Sequence, residues 1–434
     1  MLTAIGIVVF YISVALLLWR RFGRDSFRRQ VRYRVRGWWR RIGYVVHWRA
    51  GTINMGLTGK RLVLKHGRDG TWEKVPTVDY PTMQRVRSSR SVDRVRVLMV
   101  PGQVLEDWTE NAERLATLFN AQECRIRSPR GRRIRSRRRY VDLTFLRTDV
   151  LREPVQSQPL AEVPDFKALP VAVTEDGEPY RLRLLGTHLL VSGATGSGKG
   201  SALWSVVEQL APAIPAGLVR LTGIDPKELE LTMAPRLFTD LVGGDGQKVA
   251  ECLEAKVAAM DARKASMRGR SRLHQPTTAE PFEVIIIDEA NTLTAYGSDR
   301  EATKRIEKAL GKLLAQGRAL GFSLILAAQD PRKETIGFRS LIPTRVALRV
   351  NEANETDMIL GDGARARGAL ADRISPETPG VAYVLIEGMP EPVRIRYPYI
   401  SDERLAELSR FYSVPGPLAP VLSLVSPRPA GVGA

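Results

Sequence analysis

The chain of 434 residues is long enough for two or three domains, and its 66 Lys and Arg against 47 Asp and Glu give a formal net charge of +19. Its two cysteines and four histidines are too scattered for a disulfide framework or a zinc site. Residues 1–150 contain 32 basic and 12 acidic residues, whereas the remainder contains 34 and 35. The basic excess therefore lies in the first third of the chain, where it predicts a polyanionic partner, either nucleic acid or a membrane with anionic lipid.

An uncharged apolar run occupies residues 2–19, and five arginines follow within the next ten residues. The run is just long enough to cross a bilayer as a helix, and the arginines favour a cytoplasmic location for the chain that follows. The alternative, a cleaved signal peptide, lacks basic residues before the run and a small-residue cleavage site after it. We expect residues 1–19 to be a single-pass transmembrane anchor in the cell membrane.

Residues 20–50, the juxtamembrane segment, alternate arginine with aromatic and apolar residues. Tryptophan and tyrosine favour the bilayer interface, and arginine favours acidic headgroups. A role beside the membrane is therefore the first interpretation, and contact with DNA is the second. The aromatic residues concerned are Tyr33, Trp38, Trp39, Tyr44 and Trp48.

Residues 51–150 are predicted to form a small basic α+β module, with strands at 61–67 and 94–102 and helical apolar spacing over 106–121. Nine arginines fall within residues 125–140. A run of this density is expected to contact phosphates, with a solvated charged surface as the alternative.

Residues 151–170 are punctuated by prolines and predict a linker, and residues 171–400 follow as one large domain. Strand-like and helical runs alternate in this domain, which predicts an α/β fold with a mostly parallel sheet and helices on both faces. Residues 401–434 are expected to be a helix followed by a Pro/Gly-rich tail. The predicted helices of the large domain are 199–211, 247–267, 300–320 and 354–360.

A glycine-rich turn follows the strand-like residues 189–191 and leads into a helix. Its spacing fits seven of the eight positions of a phosphate-binding loop, in which backbone N–H groups and a lysine bind phosphate oxygens. Position 200 is glycine, where a Ser or Thr hydroxyl normally holds Mg²⁺, and Ser201 stands one place late. The alternative to a phosphate-binding loop is a simple tight connection between a strand and a helix. The predicted ATP-binding residues are Gly193, Ala194, Thr195, Gly196, Ser197, Gly198, Lys199, Gly200 and Ser201, with Ser201 also a candidate Mg²⁺ ligand.

An apolar strand at residues 284–287 ends in two carboxylates. We expect this strand to lie beside the phosphate-binding loop, so that Asp288 holds Mg²⁺ and Glu289 polarises the attacking water. Gln329 ends the next strand, where it can orient water, and Arg318 on the preceding helix can act on a neighbouring subunit as an arginine finger. The alternative for each of these side chains is an ordinary solvent-facing position at the end of a strand or a helix.

Five motifs together resemble the FtsK/SpoIIIE family of DNA-translocating ATPases, in that family's order and approximate spacing. The resemblance covers roughly residues 170–400 and implies a RecA-like fold and a homo-hexameric ring. It also implies hydrolysis of ATP with Mg²⁺ between subunits and movement of double-stranded DNA. The motifs are VSGATGSGKGS (191–201), IDPKELEL (224–231), VIIIDE (284–289), GRALGFSLILAAQDP (317–331) and IPTRVALRV (342–350).

The resemblance also implies roles for individual residues. Residues 225–227 match the family's D-P-K turn. Lys199 matches the phosphate-binding lysine, Asp288 and Glu289 the acidic pair, Gln329 the sensor, and Arg318 the arginine ahead of the sensor strand.

Two departures from the family pattern point to the branch concerned with plasmid transfer. The K-G-S order at residues 199–201 resembles that branch, and only 35 residues follow Tyr399, too few for the winged-helix DNA reader of many chromosome translocases. We therefore expect a membrane-anchored translocase for conjugative transfer, with a separate sequence-recognition protein as a further partner. The alternatives are a coupling protein for relaxase-bound single-stranded DNA, a chromosome-partitioning translocase, and a non-motor membrane-tethered nucleotide-binding DNA scaffold.

Overall fold

The chain forms two compact units, an N-terminal unit of residues 1–150 with 175–177 and a C-terminal unit of residues 151–174 with 178–434. The predicted anchor, and residues 128–138 of the arginine-rich run, lie outside the described residues. None of the described helices is both long and apolar enough to span a membrane. The computed structural model describes residues 21, 33–66, 72–89, 91–127, 139–294, 299–329, 338–389 and 391–415.

The N-terminal unit combines one long helix with antiparallel sheets. Strands β1 and β2 pair only with each other, whereas the other strands form a four-stranded sheet in the order β3-β4-β6-β5. The elements are α1 (Tyr33–Asn54), β1 (Gly59–His66), β2 (Trp72–Asp79), β3 (Thr82–Ser88), β4 (Val92–Leu98), α2 (Leu105–Thr109), α3 (Ala112–Leu118), β5 (Glu123–Arg127) and β6 (Tyr140–Leu146).

Helix α1 contributes aromatic side chains to the core of this unit. Tyr44 and Trp48 are buried there, and the Trp48 ring stacks on Trp108 with 6.2 Å between ring centroids. The juxtamembrane interpretation is therefore wrong for Tyr44 and Trp48, because burying their large rings in a protein core is the stronger driving force. Trp38 and Trp39 on the same helix are exposed.

A buried carboxylate ties this helix to the four-stranded sheet. The side chain of Asp93 on β4 is fully buried and accepts hydrogen bonds from Arg40 at 3.2 Å, Tyr44 at 3.1 Å and Arg147 at 2.8 Å. Because α1, β4 and the chain just after β6 each supply part of this cluster, it joins segments that are distant in sequence. Removing the carboxylate leaves two partly buried arginines without their anionic partner.

We predict that Asp93→Ala lowers the free energy of unfolding of the N-terminal unit by about 3–5 kcal/mol, the range for breaking a buried ion pair. Urea denaturation followed by tryptophan fluorescence measures the change. Asp79→Ala is the matched control, because its pair with Arg61 spans 4.0 Å at the surface and contributes less than about 1 kcal/mol. Equal effects of the two substitutions would contradict the prediction.

The C-terminal unit alternates strands and helices, and the predicted helices and strands of this region are observed within one to three residues of their expected ends. Helices α5 and α7 begin at Asp245 and Asp299, whose carboxylates accept backbone N–H groups of the first turn, and α7 ends at Gly321 in a left-handed conformation. The elements are β7 (Leu169–Thr174), β8 (Pro179–Leu182), β9 (Leu189–Ser192), α4 (Lys199–Leu210), β10 (Val219–Ile224), β11 (Asp240–Val242), α5 (Gly246–Met267), β12 (Phe282–Ile287), α6 (Ala290–Thr294), α7 (Arg300–Leu320), β13 (Phe322–Ala328), β14 (Thr344–Ala347), α8 (Ala353–Leu360), β15 (Val381–Ile386), β16 (Val393–Arg396) and α9 (Asp402–Phe411).

The strands of this unit form one ten-stranded sheet in the order β11-β10-β12-β13-β9-β14-β15-β16-β7-β8. The first six strands run parallel, and the pairs from β14 to β8 are antiparallel. The predicted mostly parallel α/β sheet is thus confirmed. Because the carboxyl ends of parallel strands share one edge, the loops that follow β9, β10, β12 and β13 lie at the same edge of the sheet.

Two hydrophobic cores cover the two faces of this sheet. Leu189 and Val191 of β9 belong to the core with α4 and α9, whereas Leu190 belongs to the core with α5 and α7. This alternation follows from the two-residue period of a strand, which points successive side chains to opposite faces. Helices on both faces keep the central strands buried and fix the positions of their carboxyl ends.

Candidate nucleotide-binding site

The sheet order places the predicted site residues on three neighbouring strands. The glycine-rich loop follows β9, Gln329 ends β13, and Asp288 follows β12. The expectation that the strand of Asp288 lies directly beside the glycine-rich loop is wrong, because β13 lies between β9 and β12. Gln329 is therefore on the adjacent strand, and the acidic pair approaches the loop from one strand further away.

The glycines of the loop are required by backbone conformation and close packing. Gly196 and Gly198 have left-handed φ angles of 70° and 97°, which residues with a side chain rarely adopt. A Cβ atom on Gly198 would also lie 2.4 Å from the backbone nitrogen of Gly380, and one on Gly193 would lie 2.7 Å from Cβ of Leu348. The loop is thus held in a tight turn at the N-terminus of α4, which is a geometry for binding phosphate.

Lys199 folds back over this loop. Its Nζ donates hydrogen bonds to the carbonyl oxygens of Gly193 at 3.0 Å and Ala194 at 3.3 Å. Burial lowers the pKa of Lys199, against the opposing effect of nearby carboxylates that include Glu289 and Asp288. The ammonium group therefore lies within the loop that would cradle a phosphate, as the sequence predicts.

Glu289 is buried and held by two neighbours. Its Oε1 accepts a hydrogen bond from the backbone N–H of Gln329 at 3.1 Å, and its Oε2 lies 3.5 Å from Nζ of Lys227. The side-chain oxygen of Gln329 in turn accepts a hydrogen bond from Thr195 at 3.3 Å. Glu289 has a left-handed φ of 55°, an uncommon conformation for glutamate that turns the chain sharply after β12.

The turn after β10 is folded around one carboxylate. Asp225 is fully buried and accepts the backbone N–H groups of Lys227 at 3.2 Å and Leu231 at 2.9 Å. These bonds fix the six-residue segment that carries Lys227 to Glu289. The D-P-K turn, assigned only by resemblance in the sequence, therefore has a direct structural connection to the acidic pair.

Asp288 lies in a region crowded with negative charge. Burial, followed by the charges of Asp225, Glu230 and Glu289, raises its pKa to about 6 against the lowering effect of Lys199. Carboxylate oxygens at the mouth of a phosphate-binding loop are the donors that Mg²⁺ prefers. Asp288 is therefore the carboxylate at this edge whose chemistry fits a divalent cation bound together with a nucleotide.

A cleft of about 780 Å³ connects these residues. Gly200 and Ser201 of α4 line it, as do Asp288, Glu289 and Gln329. The cleft is also lined by residues that the sequence did not single out, since they are distant in the chain and match no motif. Those residues are Pro154, Val155, Arg396, Tyr397, Tyr399 and Ile400.

Arg318 lies apart from this cleft. Its Nε donates to the carbonyl oxygen of Gly186 at 3.3 Å, just before β9, and its guanidinium lies 3.9 Å from Glu387. Gly186 precedes β9, whereas the phosphate-binding loop follows it, so Arg318 is at the opposite edge of the sheet. The structure therefore brings Lys199, Asp288, Glu289 and Gln329 together but leaves Arg318 outside their site.

A glycine-rich loop with its lysine, and two carboxylates at the carboxyl edge of the parallel strands, identify this protein as a P-loop ATPase. Residues 151–275 match the model of the FtsK/SpoIIIE family. The resemblance to that family inferred from the motifs is thereby confirmed.

Two curated relatives align with more than half of the chain. This chain is 29% identical over 285 residues to the DNA translocase FtsK of Listeria monocytogenes, and the alignment covers 60% of this chain and 36% of the relative. It is also 29% identical over 287 residues to the DNA translocase FtsK of Halalkalibacterium halodurans, covering 60% of this chain and 34% of the relative. The matched region thus spans about a third of the length of these relatives.

The fold is similar to that of the pCW3 conjugation coupling protein TcpA, solved in a monomer form with ATPγS. The two share a TM-score of 0.50 at 17% sequence identity, and the match covers 84% of this chain and 98% of that one. At this level of identity the similarity extends to the fold alone.

We predict that Asp288→Asn raises the melting temperature of the nucleotide-free protein by a few degrees at pH 7.5 but reduces the further rise produced by ATPγS with Mg²⁺. The pKa of Asp288 is raised from its usual value of 3.8 to about 6 in the folded protein, so the stability of the wild type falls as the pH rises through this range. At pH 5, within that range, the difference between the two nucleotide-free proteins should be about half of that at pH 7.5.

Differential scanning calorimetry at the two pH values measures these changes. Asp261→Asn is the matched control, because that carboxylate is exposed and pairs with Lys312 at the surface. A nucleotide-free Asp288→Asn protein that melts below the wild type at pH 7.5 would contradict the prediction.

Proposed function

We propose that the protein hydrolyses ATP and uses the energy to move DNA. The observation that carries this proposal is the convergence of Lys199, Asp288, Glu289 and Gln329 at one edge of the sheet, in a chain that matches the FtsK/SpoIIIE family. The curated relatives named above are DNA translocases, which supports DNA as the substrate.

The chemical step follows from the positions of the side chains. Lys199 exchanges the carbonyl oxygens of Gly193 and Ala194 for phosphate oxygens of ATP, and so neutralises charge that develops on the γ-phosphate. Glu289 accepts a proton from the water that attacks the γ-phosphorus in line, while ADP leaves with the bridging oxygen. Mg²⁺ bound with the nucleotide would supply charge neutralisation between the β- and γ-phosphates.

Lys227 and Gln329 hold Glu289 in place for this role. The backbone N–H of Gln329 binds one carboxylate oxygen at 3.1 Å, and the Lys227 ammonium lies 3.5 Å from the other. The amide side chain of Gln329, itself bonded to Thr195, is near enough to orient the water. Arg318 is outside this site, and we propose that it acts on the nucleotide of a neighbouring subunit in a hexamer.

More specifically, we propose that the DNA is double-stranded and that it is moved during conjugative transfer. This proposal is supported by the K-G-S order at 199–201 and by the basic excess of residues 1–150, which supplies affinity for phosphates without sequence preference. We include in it the membrane anchor at residues 1–19, a cytoplasmic ATPase domain and a separate sequence-recognition protein. Transfer of relaxase-bound single-stranded DNA is the second candidate, because it uses the same site.

We predict that Lys199→Ala abolishes ATPase activity and weakens ATP binding, whereas Glu289→Gln lowers the turnover rate at least about 100-fold but retains binding. Lysine contributes to binding the phosphates, while the glutamate acts on the water only in the reaction. Phosphate release assays give the rates, and fluorescence titration with a labelled ATPγS gives the affinities. Turnover that is absent from the wild type, or unchanged in both variants, would reject the ATPase.

A second prediction concerns the nucleic acid. If the chain translocates along DNA, its ATPase rate should rise with duplex length at a constant concentration of base pairs, because a longer track delays dissociation from the ends. A stationary DNA-binding protein would respond to the amount of DNA and not to its length. Stimulation by single-stranded DNA alone would favour the coupling-protein candidate over the duplex translocase.

A further inference from the structure

Gly200 occupies the loop position at which a serine or threonine hydroxyl normally contacts Mg²⁺. A Cβ atom built on Gly200 would lie 2.2 Å from Oε1 of Glu230 and 2.8 Å from its carboxyl carbon. The carboxylate of Glu230 therefore fills the space that the missing side chain would occupy. A serine at position 200 and a glutamate in this orientation at position 230 exclude each other.

Two contacts fix Glu230 in this position. The indole Nε1 of Trp204 donates a hydrogen bond to Oε1 of Glu230 at 2.8 Å. Trp204 is four residues after Gly200 on α4, so both residues face the same side of the helix. On the other side, Asp225 accepts the backbone N–H of Leu231, directly after Glu230, and thereby anchors the turn.

The Trp204 bond engages one oxygen of Glu230 and leaves the carboxylate group at the cleft. Oε2 accepts no hydrogen bond from the part of the chain that the structure describes. Glu230 lines the same cleft as Asp288 and Lys199, and all three interact electrostatically. The position, the anionic oxygen and the neighbouring carboxylate together form a donor set for a hard cation.

Ser201 is the other candidate for the missing contact. Successive residues of a helix point about 100° apart, so the hydroxyl of Ser201 leaves α4 in a different direction from the Cα–Cβ direction of position 200. Both oxygens of Glu230, by contrast, lie close to the Cβ position of residue 200, Oε1 at 2.2 Å and Oε2 at 3.0 Å. The geometry therefore favours Glu230.

We propose that the carboxylate of Glu230 replaces the usual loop hydroxyl as a ligand of the Mg²⁺ that accompanies ATP. This inference rests on the proposed nucleotide site. A carboxylate attracts Mg²⁺ more strongly than a neutral hydroxyl does. It also repels the triphosphate of ATP when no Mg²⁺ is bound. ATP binding by this protein should therefore depend unusually strongly on Mg²⁺.

The test compares the affinity for labelled ATPγS in the presence of Mg²⁺ with that in EDTA, for the full chain. Glu230→Gln retains an oxygen that can accept the Trp204 hydrogen bond but removes the charge. We expect it to weaken binding with Mg²⁺ and to leave binding in EDTA unchanged or tighter. The ratio of the two affinities should fall about tenfold or more, the range for losing one metal-site interaction.

Electron paramagnetic resonance with Mn²⁺ gives a readout independent of nucleotide affinity. At saturating ATPγS, Glu230→Gln should bind Mn²⁺ about tenfold more weakly than the wild type. Ser201→Ala tests the alternative ligand, and Asp261→Asn, which removes a carboxylate outside the cleft, is the matched control that should bind Mn²⁺ as the wild type does. A loss confined to Ser201→Ala would overturn the proposal.

A double substitution tests whether the two positions are coupled. Gly200→Ser alone must displace Glu230 and should reduce the dependence on Mg²⁺, whereas Gly200→Ser with Glu230→Ala restores the hydroxyl and removes the clash. We expect the double variant to depend on Mg²⁺ more strongly than Glu230→Ala alone. Purely additive effects would contradict the coupling, and circular dichroism establishes that each variant is folded.

Failure of this inference is distinguishable from failure of the proposed function. If the wild type binds ATPγS with Mg²⁺, Lys199→Ala does not, and Glu230→Gln keeps the full wild-type ratio, the nucleotide site stands and the role of Glu230 is rejected. If the wild type binds no ATPγS under either condition, both are rejected.

Discussion

One buried carboxylate determines the geometry of the nucleotide site. Asp225 ends β10 and accepts two backbone N–H groups of the following turn, so that a segment without regular secondary structure has a fixed shape. Buried carboxylates persist when hydrogen-bond donors compensate for their desolvation, and here the donors are backbone groups that cannot move away. The turn delivers Lys227 to Glu289 and Glu230 to Gly200, and thereby connects the acidic pair to the phosphate-binding loop.

The local features of the ATPase fold could be predicted from the sequence because each depends on neighbouring residues. Strand β9 and helix α4 follow from apolar runs on either side of a glycine-rich turn, and α7 ends at Gly321 because only glycine adopts that conformation easily. The convergence of Lys199, Asp288 and Gln329 follows in turn from the common edge of parallel strands.

Contacts between distant segments could not be predicted in this way. Nothing local indicates that β13 inserts between β9 and β12, since strand order depends on how helices pack on the sheet. The burial of Tyr44 and Trp48 was missed for a related reason: an arginine-rich helix with aromatic residues has the composition of a membrane-interface segment, yet one side of it packs on a sheet. The sequence also does not indicate that the carboxylate of Glu230, thirty residues later, fills the space beside Gly200.

The antiparallel half of the sheet also has a mechanical connection to the phosphate-binding loop. The backbone N–H of Gly380, at the start of β15, donates to the carbonyl oxygen of Ser197 at 2.9 Å, and the Gly198–Gly380 contact has no room for even a methyl group. Because the backbone atoms of Gly198 and Gly380 are in direct contact, the loop cannot shift when phosphates bind or leave unless the turn at Gly380 shifts too. The turn at Gly380 therefore connects the phosphate-binding loop to β15 and, through the pairing of β15 with β16, to the antiparallel half of the sheet.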